Sequence, residues 1–173
     1  MKLYHADNFG TTKLDPKKMN MGNNQEGIGI YFADKLSFTK FYGNKMISID
    51  VNPKNFVGSR EPFEKQLPLN KLLKVFLDMW KIDEEAMYYL ITDWGIEISE
   101  SNEITVDYIK EMIKLMYGTE VRNLQITLAN AFGVVNFVKS WNKHMPEIHG
   151  TVNKSREIWC VINTNYKIKK LNW

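Results

Sequence analysis

Hydrophobic residues recur at three- and four-residue steps through the middle of the chain, which predicts four successive amphipathic helices. Asp83 is placed to cap the second helix, and Gly95, Gly118 and Gly133 follow the ends of the last three. Such regular spacing marks these side chains as core residues. The apolar faces are Leu69, Leu72, Leu73, Phe76, Leu77 and Trp80; Met87, Leu90, Ile91 and Trp94; Ile109, Met112, Ile113 and Met116; and Val121, Leu124, Leu128, Ala131 and Phe132.

Both ends of the chain are strand-like, because short apolar or alternating runs there are bounded by polar and turn residues. The polar stretch Lys139–Arg156 predicts a mobile surface loop. We therefore expect an α+β fold, with one domain over residues 1–173 and a helical insertion of about four helices at about 67–132. The predicted strands are Met1–Asp7, Ile30–Ala33, Lys45–Val51, Val134–Val138, Glu157–Ile162 and Tyr166–Leu171.

Composition narrows the functional classes. The net charge is only +3 and shows no clustered basic face, so nucleic acid is not indicated as a partner. No stretch approaches the ~20 apolar residues of a membrane span, and the N-terminus lacks a hydrophobic signal region, so we expect a cytoplasmic protein. The single cysteine, Cys160, excludes an internal disulfide and lies in an apolar strand, which predicts a buried, inert thiol.

The segment Gly27–Gly43, GIGIYFADKLSFTKFYG, organises the rest of the chain. Its first glycine and Gly29 flank an isoleucine before an apolar strand, which suits a backbone that comes close to a ligand or to another chain segment. Asp34 is placed as the N-cap of a helix that begins near Lys35 and ends at Gly43 in the left-handed C′ position.

This helix would carry Thr39 and Tyr42 on one face, while Tyr31 stands on the strand before it. Taken alone, the two tyrosines are equally well explained as core aromatics. The pattern glycine, glycine, apolar, Tyr, Phe, followed eleven residues on by a second Tyr, resembles the diphtheria-toxin and poly(ADP-ribose) polymerase branch of the ADP-ribosyltransferases. The resemblance implies a split β-sandwich fold and NAD as co-substrate, with no metal.

Cleavage of the bond between nicotinamide and ribose passes through a cationic ribose, which a nearby carboxylate stabilises. The family places a Tyr-His pair on its first strand, and the matching residues here are Tyr4 and His5. By resemblance, His5 would bond the ribose hydroxyls, the backbone of Ala6 would bind the nicotinamide amide, and Thr39 would bond the amide oxygen.

The remaining family positions match Tyr31, Tyr42, Gly29 and Glu157. The resemblance implies that the two tyrosines bracket the nicotinamide ring and that Gly29 lets the backbone approach NAD. Glu157 would hold the ribose 2′-hydroxyl and stabilise the cation, so His5, Tyr31 and Glu157 are the implied catalytic set. Each also has a structural alternative, since His5 could be an ordinary strand histidine and Glu157 a solvated strand end.

Three departures from the family pattern refine the expectation. Ala6 replaces a glycine, which narrows the nicotinamide pocket. Phe38 stands where chain-elongating members have lysine, so transfer of a single ADP-ribose is expected rather than a polymer. Ser155, two residues before Glu157, is neither Gln nor Glu, so the paired motif of the toxins that modify arginine or asparagine is not matched.

The compact format also resembles small phage and mobile-element transferases, including an anti-CRISPR ADP-ribosyltransferase, which implies a protein target in a host defence system. Trp141, on the predicted loop, is the candidate anchor for that target. Two alternatives stay open: an NAD glycohydrolase that passes ADP-ribose to water, and a catalytically silent interaction module.

Two other sites are not supported by the sequence. His5, His144, His149 and Cys160 are too few and wrongly spaced for a closed zinc site, although the two later histidines could meet on a loop. A Rossmann dinucleotide site is not expected, because GIGIYF lacks the third glycine of that fingerprint.

Overall fold

The computed structural model describes residues 1–19, 26–99 and 103–172 and has a mixed α+β architecture. The strands are β1 (Lys2–Asp7), β2 (Ile30–Ala33), β3 (Lys45–Asp50), β4 (Phe56–Gly58), β5 (Gly150–Asn153), β6 (Ile158–Val161) and β7 (Lys169–Leu171). The helices are α1 (Leu36–Thr39), α2 (Phe63–Gln66), α3 (Leu69–Ile82), α4 (Glu84–Asp93), α5 (Val106–Leu115), α6 (Val121–Phe132) and α7 (Val134–His144).

The seven strands form one sheet in the order β4-β5-β6-β2-β1-β3-β7. Only the β4–β5 pair is parallel within the described ranges. The register of β1 with β3 runs along the whole strand, from Lys2 opposite Asp50 to Asp7 opposite Lys45. In the described part of the chain, β1 and β2 share a single registered pair, Tyr4 opposite Ala33. The sheet therefore consists of two well-paired parts that meet loosely between β1 and β2.

The four helices predicted from apolar spacing are present as α3 to α6 and lie between β4 and β5 in the chain. Asp83 caps α4 as predicted, because its carboxylate accepts a hydrogen bond from the N–H of Ala86 at 2.9 Å. Gly133 ends α6 with φ of 87°, a conformation that glycine adopts without a steric penalty. No helix in the described ranges is both long and apolar enough to cross a bilayer.

The segment after α6 differs from its prediction. Val134–Val138 is the start of helix α7 rather than a strand, and the predicted loop Lys139–Arg156 contains the rest of α7 and strand β5. Phe137, Val138 and Trp141 occupy one face of α7 and are fully buried. The β-branched residues at the start of the helix imitate a strand over a short window, where periodicity alone cannot separate the two.

Trp141 is therefore not the exposed anchor for a target that the sequence predicts. Its side chain has no exposed surface, its ring lies 5.5 Å from that of Phe137, and its indole N–H donates to the carbonyl of Ile148 at 3.1 Å. A buried tryptophan whose N–H is satisfied within the protein is a core residue. Cys160 is also fully buried, as predicted, and burial raises the pKa of its thiol.

The predicted caps around α1 are wrong. The helix spans only Leu36–Thr39, its N-cap position is Lys35, and the Oδ1 atom of Asp34 is buried without a hydrogen-bond partner among the described residues. Gly43 is not one of the glycines with positive φ, so it is not in the left-handed conformation of a C′ residue. Its role is a close approach instead, because a Cβ there would lie 2.2 Å from the backbone carbon of Asp7.

The structure has one strand that the sequence did not predict, β4, and one that begins later than predicted, β7. β4 lies in a polar stretch where the sequence predicts no strand, and it is short and pairs with β5, which lies far along the chain. The last strand begins at Lys169 rather than Tyr166.

Candidate functional site

The place where β1 and β2 separate leaves backbone groups facing a gap. The amino group of Met1 donates to the carbonyl of Val51 at 2.9 Å, and the N–H of Val51 donates back at 2.8 Å. Hydrogen-bonded pairs alternate along an antiparallel ladder, so the backbone groups of Leu3 and His5 point to β3, while those of Ala6 point to β2. Beyond Tyr4 and Ala33, the described ladder to β2 has stopped.

Ala6 therefore directs one N–H donor and one C=O acceptor toward the backbone of Tyr31, without a ladder partner on β2 in the described chain. We call this unpaired part of the ladder the β1–β2 gap; His5, Ala6 and Tyr31 are the residues that flank it. A backbone donor and acceptor side by side match the acceptor and donor of a primary carboxamide.

His5 lies at the rim of the gap with its ring held by three contacts. Its Nδ1 donates to the carbonyl oxygen of Tyr31 at 2.7 Å, and since a carbonyl only accepts, this nitrogen carries the proton. Its Nε2 lies 3.4 Å from a carboxylate oxygen of Asp7, and the ring packs 5.4 Å from that of Phe32. The bond to Tyr31 leaves Nε2 as the nitrogen that can meet a ligand hydroxyl.

Asp7 was not among the predicted site residues, although its carboxylate organises the turn beside His5. It accepts from the N–H of Phe9 at 2.8 Å, of Gly10 at 2.5 Å and of Thr11 at 3.3 Å, and from the Thr11 hydroxyl. Burial would raise the pKa of Asp7, but these hydrogen bonds outweigh it and lower the pKa to about 2. A permanent negative charge therefore faces the Nε2 atom of His5.

Tyr31 is half buried on β2, and its hydroxyl is engaged in the turn that precedes the strand. The hydroxyl donates to the carbonyl of Gly27 at 3.1 Å and accepts from the N–H of Glu26 at 3.3 Å. Burial raises the pKa of Tyr31, so its phenol stays neutral. Gly29 is required for packing, because a Cβ there would lie 2.6 Å from the carbonyl oxygen of Val161 on β6. Of the two predicted roles of Gly29, the close approach is to another chain segment.

A buried carboxylate that the sequence did not single out fixes the same turn. Glu26 is 1% exposed and accepts hydrogen bonds from the Ser59 hydroxyl at 2.7 Å, the Asn153 amide at 2.9 Å and Arg60 at 3.0 Å. Burial raises the pKa of Glu26, but these partners outweigh it and lower the pKa below its ordinary value. The cluster ties the turn before β2 to β4 and β5, and so places the strand that carries Tyr31.

Thr39 and Tyr42 differ in their surroundings. The Thr39 side chain is buried, and its hydroxyl donates to the carbonyl of Leu36 at 2.8 Å, so it can act toward a ligand only as an acceptor. Tyr42 follows the end of α1 and is 73% exposed, which excludes a core role. No ring contact joins Tyr31 and Tyr42 among the described residues.

Glu157 immediately precedes β6, with its carboxylate beside the start of α1. Ile158 is opposite Ala33 in the β2–β6 ladder, which brings Glu157 to the end of β2. Both carboxylate oxygens accept from the Nζ atom of Lys35, at 2.6 and 2.8 Å. Glu157 has φ of 56° and is the only non-glycine residue with positive φ in the described ranges. Such a conformation in a residue other than Gly, Asn or Asp is strained and is often found at functional sites.

His5 and Tyr31 thus lie on the neighbouring strands β1 and β2, and Glu157 immediately precedes β6, the strand on the other side of β2. A cavity of about 280 Å³ is lined by Lys2, Tyr4, Leu36, Met46, Leu171 and Asn172, and none of His5, Ala6 and Tyr31 lines it. The other histidines have separate partners, since His144 contacts Asp78 at 2.7 Å and His149 contacts the Tyr166 hydroxyl. Among the described residues, no group of three or more His, Cys, Asp and Glu side chains is placed to hold a metal.

Comparison with known proteins yields little. No protein-family model matches the chain, and no characterised protein sequence matches it. A crystal structure of an anti-CRISPR protein aligns with 99% of this chain and 95% of its own length, at 14% identity and a TM-score of 0.40. Similarity at that level does not define a shared fold.

Proposed function

We propose that this protein is a mono-ADP-ribosyltransferase that takes ADP-ribose from NAD and transfers it to a protein target. The observation that carries the proposal is the β1–β2 gap, where Ala6 has no registered partner on β2 in the described ranges and the Nδ1 atom of His5 contacts the carbonyl of Tyr31. These three residues are among those that the sequence resemblance implies for NAD.

The gap suits the nicotinamide end of NAD. The carboxamide N–H would donate to the carbonyl of Ala6, and its oxygen would accept from the N–H of the same residue. Tyr31 would supply one face for the ring, and Tyr42 would supply the other by moving its exposed ring inward. Thr39, whose hydroxyl proton is already engaged, would accept from the carboxamide rather than donate to its oxygen as expected.

In the proposed reaction the bond between C1′ of the ribose and the nicotinamide nitrogen breaks, and its electron pair neutralises the pyridinium. The cationic ribose that remains is stabilised by the Glu157 carboxylate, while the Nε2 atom of His5 bonds a ribose hydroxyl. A nucleophile of the target then bonds C1′ and releases its proton. The carboxylate acts mainly on the transition state, because the ribose carries this charge only there.

We propose a host defence protein as the target, on the sequence resemblance alone. The burial of Trp141 removes the predicted contact, so exposed side chains must select the target. Phe41, at 90% exposed, and Phe9, at 79%, are the most exposed large apolar side chains of the described residues. They belong to the segments that follow α1 and β1.

The carboxamide pairing can be tested by binding. We expect calorimetry in the presence of chelator to show NAD binding, and the analogue with a carboxylate in place of the carboxamide to bind at least tenfold more weakly. The carboxylate loses the donor and places negative charge against the Ala6 carbonyl, an uncompensated loss of roughly 1–3 kcal/mol. Equal affinity for the two dinucleotides, or no binding of NAD by the folded protein, would contradict the proposed site.

Product analysis then separates the three candidate functions. A transferase attaches labelled ADP-ribose to a protein when host lysate is added, and mass spectrometry identifies the modified side chain. A glycohydrolase releases nicotinamide and free ADP-ribose at the same rate with or without lysate. A silent interaction module does neither.

A further inference from the structure

Lys35 contacts Glu157, the residue that we propose stabilises the ribose cation. Its Nζ atom contacts both oxygens of Glu157, at 2.6 and 2.8 Å, and so occupies one side of the carboxylate. Lys35 sits at the N-cap position of α1, and Glu157 directly precedes β6, so the pair joins the segment of Tyr42 to the strand of the carboxylate. The hydrogen bond to Glu157 raises the pKa of Lys35, so the ammonium is charged at neutral pH.

The ammonium also has a second contact close at hand. Its Nζ atom lies 5.5 Å from the centroid of the Phe38 ring, within the range of a cation–π interaction. The side chains of Lys35 and Glu157 are 56% and 33% exposed, so the pair is reached by solvent and can open at small cost. An opened Lys35 would stay over Phe38 rather than return entirely to water.

We propose that Lys35 is a positioning residue. Its ion pair with Glu157, which we call the pin, holds the carboxylate in place and weakens its field at the ribose, so that NAD is cleaved slowly until the pair opens. This inference rests on the proposed function. A carboxylate that accepts two hydrogen bonds from an ammonium presents a weaker field to a developing cation than an unpaired one. With water as acceptor, the C1′–N bond breaks toward nicotinamide, water oxygen bonds C1′, and one proton passes to solvent. The pin slows this loss of NAD.

The pin is tested with Lys35→Met, which keeps the length of the side chain and removes the charge. We expect nicotinamide release from NAD alone to rise roughly two- to fivefold, the range typical of an exposed ion pair, with KM changed less than twofold. Lys35→Arg restores a cation and should return release toward the wild-type rate. Lys169→Met is the matched control, because Lys169 forms an exposed pair with Asp50 at 2.6 Å on the β3–β7 edge.

A second background shows whether Lys35 acts through Glu157. In a Glu157→Gln protein there is no charge to withhold, so Lys35→Met should have no further effect on release. The pin is overturned if Lys35→Met leaves release unchanged or lowers it in an active protein, or if its effect persists in the Glu157→Gln background. If the wild-type protein neither releases nicotinamide from NAD alone nor labels a protein in host lysate, the proposed function is wrong. If it labels a protein but neither it nor Lys35→Met releases nicotinamide from NAD alone, only the pin is overturned.

Discussion

Replacement of Glu157 by Gln is the most direct test of the proposed chemistry. The amide keeps the shape of the side chain and removes its charge, so NAD affinity should change little while turnover falls. A charge about 4 Å from a cation is worth roughly 4 kcal/mol near a protein surface and about 1 kcal/mol in water. The Glu157 side chain is one-third exposed, and the Lys35 ammonium offsets part of its charge. We therefore expect turnover to fall by about 10², the lower end of the range for a preorganised charge-stabilising group.

The assay measures nicotinamide release under single-turnover conditions, with calorimetry for NAD affinity and circular dichroism for the fold. Glu147→Gln is the matched control, because Glu147 forms an exposed pair with Lys71 at 2.5 Å, next to α7 and outside the proposed site. Its release rate should equal that of the wild type. Normal nicotinamide release from Glu157→Gln would refute the catalytic role and leave Glu157 as a solvated strand end.

Substitutions at three further positions test the rest of the structure. Tyr42→Ala removes an exposed ring, so we expect calorimetry to show NAD affinity reduced roughly tenfold with an unchanged melting temperature; unchanged affinity would exclude the stacking role. Trp141→Ala should destabilise the fold by about 3–5 kcal/mol in urea titration, with Trp141→Phe milder, and a near-neutral result would contradict its place in the core. Asp7→Asn should lower the free energy of unfolding by about 2 kcal/mol at pH 7 in urea titration. Because the pKa of Asp7 is lowered in the folded protein, this difference in stability from the wild type should vanish as pH falls below about 2, and a pH-independent difference would contradict the contacts of Asp7.

Long, regular patterns were predicted well from the sequence. The helices α3 to α6 each bury several residues at helical spacing, and Asp83 precedes its helix with a suitable cap, so local information was sufficient. The helix α7 was mistaken for a strand because its start is rich in valine over a window too short to show its period. α1 is shorter than predicted, although Asp34 and Gly43 look like its caps. Gly43 packs against the backbone of Asp7, and the Oδ1 atom of Asp34 has no hydrogen-bond partner among the described residues.

The residues of the candidate site were likewise predictable only in part. The resemblance grouped His5, Ala6 and Tyr31, and they come together because β1 and β2 are neighbours, an order that the sequence did not predict. Glu26 could not have been found, because its partners Ser59, Arg60 and Asn153 are distant in sequence and such polar contacts leave no periodic signal. The pairing of Lys35 with Glu157 is similarly invisible, since it depends on the register of β2 with β6.

The parallel pairing of β4 with β5 has a consequence for synthesis of the protein. Phe56 lies opposite Gly150, so β4 leaves the ribosome about ninety residues before its partner. At a translation rate of about 5–20 residues per second, β4 waits on the order of ten seconds for the strand that covers it. During that time the intervening helices can form from local contacts, and each helix shortens the span that must close before the two strands meet. β4, whose neighbour in the described sheet is β5, thus stays unpaired until Gly150–Asn153 has emerged, and during that time its backbone groups are open to wrong pairing.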